Sequence, residues 1–118
     1  MSLNIDQIAE AFCSHRFVVT YPYMADGIKW NIVGQEELKG REAVIARCDK
    51  SAKFLETVST TITKLKIHRA ETFVVVEGAA QFQDQQKQTS SVASCDVFQF
   101  SDGRLVEITS YNVELNKP

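Results

Sequence analysis

Residues 95–115, CDVFQFSDGRLVEITSYNVEL, read as two strands joined by a tight turn. Asp102-Gly103 is the joint, because this pair tolerates the positive φ angles that a two-residue hairpin turn needs. Working back toward the N-terminus, Gln88–Phe100, Thr72–Gln83 and Thr57–His68 are rich in Val, Ile, Thr and Phe, and only short polar links separate them. With Leu105–Leu115 as the last strand, three consecutive hairpins make an antiparallel meander. Within Thr57–His68 the apolar positions change parity, from Val58, Thr60 and Ile62 to Leu65 and Ile67. A regular strand cannot keep both sets on one face, so the pattern predicts a β-bulge near Thr63-Lys64 that bends the sheet.

Upstream the periodicity changes. Ile5, Ile8, Ala9 and Phe12 recur at helical spacing behind Asn4, with Gln7 placed for a capping box, which predicts a helix over 5–14. Val44 or Ile45, Cys48, Ala52 and Leu55 define a second helix over 41–55, whose opposite face, with Arg41, Arg47, Asp49, Lys50 and Lys53, is expected to be solvated. Between them Ala25-Asp26-Gly27 signals a turn, and Ile28 to Val33 a short strand closed by Gly34. Phe17–Met24 stays open between a strand, favoured by Val18, Val19 and Thr20, and a buried helix broken near Pro22. Helices first and a long bent sheet afterwards is an α+β order: a single domain over 1–118, with the N-terminal helices packed in the concave face of a bent, mainly antiparallel sheet.

Composition narrows the function classes. The chain has 118 residues, 44% of them hydrophobic and 24% charged, and a formal net charge of -2 with both signs interspersed. No single-sign field is present to attract a polyanion, so nucleic acid is not expected as a partner. No apolar run approaches the roughly 20 residues that span a bilayer, and the start lacks a charged segment leading into an apolar one, so the expectation is a soluble, cytoplasmic protein that does not engage a membrane. Cys13, Cys48 and Cys95 sit in no metal or redox spacing and read as reduced, small core residues. No metal and no cofactor is expected.

The candidate chemistry centres on Asp96. Period-two alternation puts Ser94, Asp96, Phe98 and Phe100 on one strand face and Cys95, Val97 and Gln99 on the other. A carboxyl among aromatics meets a desolvation penalty that raises its pKa, which suits a proton donor or general acid. An Asp bonded to a neighbouring N–H or hydroxyl, or one turned to solvent, fits the same pattern. On the last strand Ile108, Ser110 and Asn112 share one face, and Glu107, Thr109, Tyr111 and Val113 the other; either could line a pocket. Tyr21, Tyr23 and Trp30 combine apolar area with one polar atom, which suits them to orient a ligand or simply to pack. There is no GxSxG, no phosphate-cradling Gly loop and no Cys placed with a His, so covalent catalysis has no support.

In order and spacing, YMADGIKWNIVG, KGREAVIARC and CDVFQFSDGRLVEITSYNVEL resemble the nuclear transport factor 2-like superfamily, and especially its SnoaL-like members. The resemblance implies a cone-like fold whose helices close the concave face of the sheet, Phe17–Met24 as helix, and a homodimer formed through the sheet's outer side. Since the superfamily mixes isomerases, cyclases, hydrolases and binding modules, fold alone does not give the function. By similarity to ketosteroid isomerase, the catalytic base falls on Asn31, whose amide cannot act as a base, whereas the oxyanion-hole aspartate is matched by Asp96. Its tyrosine partners fall on Phe12 and Cys48, and a cavity tryptophan on Asn112. Isomerase activity is therefore not expected. The implied site has Asp96 as its candidate catalytic acid, with Phe12, Tyr21, Tyr23, Trp30, Asn31, Phe98, Phe100, Ser110 and Asn112 around a small apolar or aromatic ligand. The alternatives are a cyclase-, lyase- or isomerase-type enzyme that uses Asp96 as general acid/base, with His15, Tyr21 or Tyr23 as the second group, and a non-catalytic dimeric module.

Overall fold

The structure, a computed structural model, describes residues 2–115; the ends of the expected 1–118 domain lie outside the described residues. Helix α1 (Ile5–Cys13) starts at a complete capping box, in which Asn4 Oδ1 accepts from the Gln7 backbone and Gln7 Oε1 accepts from that of Asn4, both at 2.9 Å. It leads into a 3-10 helix (Phe17–Tyr23) that contains Pro22, then strand β1 (Met24–Ile32), strand β2 (Glu36–Lys39) and helix α2 (Arg41–Leu55). The meander follows as β3 (Ser59–Arg69), β4 (Phe73–Gln83), β5 (Thr89–Ser101) and β6 (Arg104–Glu114).

All six strands form one open sheet in the order β2-β1-β6-β5-β4-β3, antiparallel except where β1 runs parallel to β6. The bulge falls where the parity change predicts it, since the β3–β4 register shifts between Ile62 and Lys64. Asp102 and Gly103 both have positive φ, 51° and 77°, as the two-residue hairpin turn requires. Ala25-Asp26-Gly27 is not a turn: β1 runs through it, and the irregularity that these residues favour is absorbed as a register shift against β6 between Met24 and Lys29. Strand β2 has no counterpart in the sequence reading, because its four residues, Glu-Glu-Leu-Lys, carry the charges of a sheet edge and no apolar alternation.

The core lies between the sheet's inner face and the helices. Ile8, Ala9 and Phe12 of α1 and Val44 and Cys48 of α2 meet Ile28, Val74, Val76, Phe98, Leu105 and Ile108 from the strands. Phe12 is the hub: its ring meets those of Phe17, Trp30 and Phe98 edge-on, at centroid distances of 5.2, 5.1 and 5.5 Å. Such contacts add about 0.5–1.5 kcal/mol each beyond area burial, so Phe12 anchors α1 to the sheet as well as forming a wall.

Candidate functional site

A cavity of about 270 Å³ opens between the C-terminal end of α1, the second half of α2 and the inner face of the sheet, near the low end of the roughly 300–1,000 Å³ typical of small-molecule sites. Asp96, Ser110, Cys13, Trp30 and Phe12 meet at its wall, His15 and Phe82 lie further along it, and Arg47 and Ser51 face it from α2.

The polar contacts run in one direction. Trp30 Nε1 donates to Ser110 Oγ at 2.9 Å, and indole nitrogen is only a donor, so Ser110 accepts there and its own proton is free for the Asp96 carboxyl to which it is bonded. Cys13 Sγ also donates to Asp96, at 3.7 Å from Oδ2. Burial pushes the Asp96 carboxyl above the usual carboxylate range, partly opposed by the bonds from Ser110 and Cys13. Burial, with the nearby Asp96 charge adding to it, pushes the Cys13 thiol far up as well, so Cys13 stays S–H and serves as a donor rather than a thiolate nucleophile.

His15 follows the end of α1 in the left-handed region, φ 66°, with its ring tilted against Phe17 and Phe82 at 5.8 and 6.3 Å. Burial lowers its pKa, which favours the neutral imidazole.

Asp96, Phe12, Trp30, Ser110 and Asn112 of the expected set come together at the cavity, which resolves the two faces of β6 in favour of Ser110 and Asn112. Phe98 and Phe100 are on the same sheet face but lie deeper, filling the core. Asn31 does not reach the cavity. Trp30 and Ile32 face inward, so period two turns Asn31 outward, beside Thr109 of β6. Tyr21 and Tyr23 point elsewhere too: Tyr21 donates to Asp49 Oδ1 at 2.6 Å, and Tyr23 Oη accepts from the Leu3 backbone at 2.9 Å.

Three features escaped the sequence reading. Of the cysteines only Cys48 is fully buried; Cys13 borders the cavity and Cys95 lies on the outer sheet face. Arg47 is not solvated, with a side chain only 26% exposed and its guanidinium 6.0 Å from the Trp30 ring centroid. Arg41, placed on the same solvated face, instead donates to the Tyr21 carbonyl at 3.0 and 3.3 Å. The α1 spacing was a usable signal for Cys13, which follows Ala9 by four positions and so falls on its face. Among the described residues no group of three or more His, Cys, Asp or Glu is placed to hold a metal ion, and no helix is long and apolar enough to cross a membrane.

The sequence pattern of the SnoaL-like domain matches residues 5–108. The chain belongs to the SnoaL-like family. An NTF2-like protein of unknown function from Cytophaga hutchinsonii ATCC 33406 is 30% identical, with a TM-score of 0.80 over 90% of this chain and 93% of that one. An NTF2-like protein from Burkholderia xenovorans LB400 is 18% identical, with a TM-score of 0.72 over 91% and 87%. An LEH-like epoxide hydrolase of M. tuberculosis, also 18% identical, superposes with a TM-score of 0.69 over 92% and 82%. No curated protein matches the chain. The last two likenesses bear on the fold of this SnoaL-like chain, an α+β cone, and leave its chemistry to its own side chains. Those provide one carboxyl whose ionisation is disfavoured, a hydroxyl and a thiol that donate to it, and aromatic walls.

Proposed function

We propose that this SnoaL-like chain binds a small, mainly apolar ligand in its cavity, with the protonated carboxyl of Asp96 donating a hydrogen bond to an acceptor on the ligand. The observation that carries this is the setting of Asp96. It lies on the cavity wall, burial disfavours its charge, and Ser110 and Cys13 hold it from the protein side. A buried neutral acid is a strong donor to a carbonyl that has left water behind. Phe12, Trp30 and Phe82 supply the apolar walls. We also propose a homodimer through the outer face of the sheet, where Tyr111 and Val113 stand 48% and 58% exposed.

The test is binding of cyclohexanone, acetophenone and a lactone, followed by thermal shift and calorimetry. Asp96→Asn, which keeps a donor, retains the hits, while Asp96→Ala weakens them about tenfold. Hits indifferent to Asp96→Ala remove the proposed role.

One observation favours a second reading, an enzyme of cyclase, lyase or hydrolase type. His15, kept neutral by burial, offers a proton acceptor in the same cavity as the Asp96 donor. An epoxide is a substrate class to try, since the M. tuberculosis relative is an epoxide hydrolase. Turnover lost in both Asp96→Asn and His15→Gln supports catalysis; turnover that survives either change rules out this acid–base pair.

A further inference from the structure

We infer that the ligand is amphipathic and carries a carboxylate, which Arg47 binds at the mouth while the ligand's carbonyl meets Asp96. This rests on the pocket reading above and adds the chemical class of the ligand. Arg47 stands on the α2 side of the cavity with its guanidinium over Trp30. Its Nε donates to Glu36 Oε2 at 3.2 Å, and its Nη1 donates to Ser51 Oγ. A guanidinium has five N–H donors, so these two bonds fix its plane and leave the other terminal nitrogen, Nη2, and one Nη1 proton unused. Among the described residues no protein acceptor takes Nη2. The free edge is the fork that pairs with a carboxylate through two parallel bonds.

The charges around the cavity point the same way. Lys64 also borders it, but its ammonium pairs with Glu77 at 3.7 Å. Glu36 steers Arg47 from β2 and is not part of the cavity wall. What sets the guanidinium apart from the Lys64 ammonium is that Ser51 and Trp30, besides its carboxylate partner, hold it in place before any ligand arrives. A plain surface pair with Glu36 would contribute little and needs neither contact.

Three matched probes test the inference at pH 7: acetophenone, para-acetylbenzoate and the methyl ester of that acid, titrated calorimetrically. The acid is expected to bind wild type about tenfold more tightly than its ester, a difference of about 1.4 kcal/mol. Arg47→Met, with folding checked by circular dichroism, abolishes the difference, and Arg47→Lys, which keeps the charge without the fork, retains only part of it. Glu36→Gln, which removes the competing carboxylate, keeps or increases it. If the ketone and the ester bind and the acid binds no better, the inference fails while the pocket reading stands; an acid preference that persists in Arg47→Met overturns it equally. If none of the three binds, both fall together.

Discussion

Replacing Asp96 by Asn gives a stability change whose size depends on pH. In the folded chain burial holds the Asp96 pKa above that of an unfolded aspartate, about 3.9. Below that value both states carry the proton, and Asn, close in shape to a protonated carboxyl, changes stability little. Above it the unfolded chain releases the proton while the folded chain keeps it. The wild type therefore loses about 1.4 kcal/mol per pH unit, until the pH passes the raised folded pKa and the difference levels off. Asn has no proton to release and loses nothing by this route. In a domain of this size 1 kcal/mol moves Tm by about 4 °C, so the gap between Asp96→Asn and wild type should open at about 6 °C per pH unit. Differential scanning calorimetry of both proteins from pH 3 to pH 9 reads this directly, and taking the difference cancels every other titrating group. The pH at which the gap levels off is the Asp96 pKa. A gap that stays flat, or one that opens toward low pH, would show that Asp96 is solvated or held as a carboxylate, and the donor role would go with it.

Ser110→Ala leaves Trp30 Nε1–H unpaired in a site where Ser110 is only 3% exposed, so urea unfolding should lose about 1–3 kcal/mol; adding Trp30→Phe should recover part of that loss, and strict additivity of the two changes counts against the relay. His15→Gly and His15→Ala both delete the ring, but only Gly accepts φ 66° without penalty; Gly should be the more stable by about 1 kcal/mol, and an Ala variant equal to it refutes backbone strain at this position. A Cβ built on Gly78 falls 2.9 Å from Ser94 Oγ, so Gly78→Ala should lower Tm and weaken acetophenone binding, and Ser94→Ala in the same chain should restore Tm; no recovery means the contact is not the cause. In sedimentation velocity the wild type should run as a dimer and Tyr111→Asp as a monomer; a monomeric wild type disposes of the outer-face interface.

Local chemistry made much of the fold legible. Asp102-Gly103, the parity change at Thr63 and the Asn4–Gln7 box each have one good structural solution, and the chain adopts it. Strand β2 was not legible, because an edge strand is specified by its neighbour and Glu36–Lys39 shows no burial pattern of its own. For the site, period two placed Asp96 with Phe98 correctly, yet the same rule forbids Trp30 and Asn31 from sharing a face of β1; similarity to a base position had put Asn31 in the pocket, and the pleat turns it out. Arg47 was hidden for a different reason. Charged residues on a helix face read as solvated, and only the tertiary approach of Trp30 and Ser51 shows that this one is held against the cavity.

The cavity arises where it does because side chains on neighbouring strands shrink in step. On the inner face β4 and β5 pair Val74 with Phe98, then Val76 with Asp96, Gly78 with Ser94 and Ala80 with Val92. Val74 and Phe98 are wholly buried and fill the narrow end of the cone, together with the Phe12 ring. Two steps further along, Gly78 has no side chain and Ser94 a small one, and the inner face passes from packed core to open space. Asp96 lies at that transition. One side of its carboxyl meets the core, which supplies the desolvation and the Ser110 and Cys13 contacts, and the other meets the cavity, which gives a ligand access. Moved one pair deeper toward Phe98, the carboxyl would be sealed from any ligand; moved one pair outward toward Ser94, it would be hydrated and ionised. The taper is thus what makes a single carboxyl both neutral and reachable, and Gly78→Ala, which adds a methyl group one pair from Asp96, acts on that boundary while leaving every group that touches the carboxyl in place.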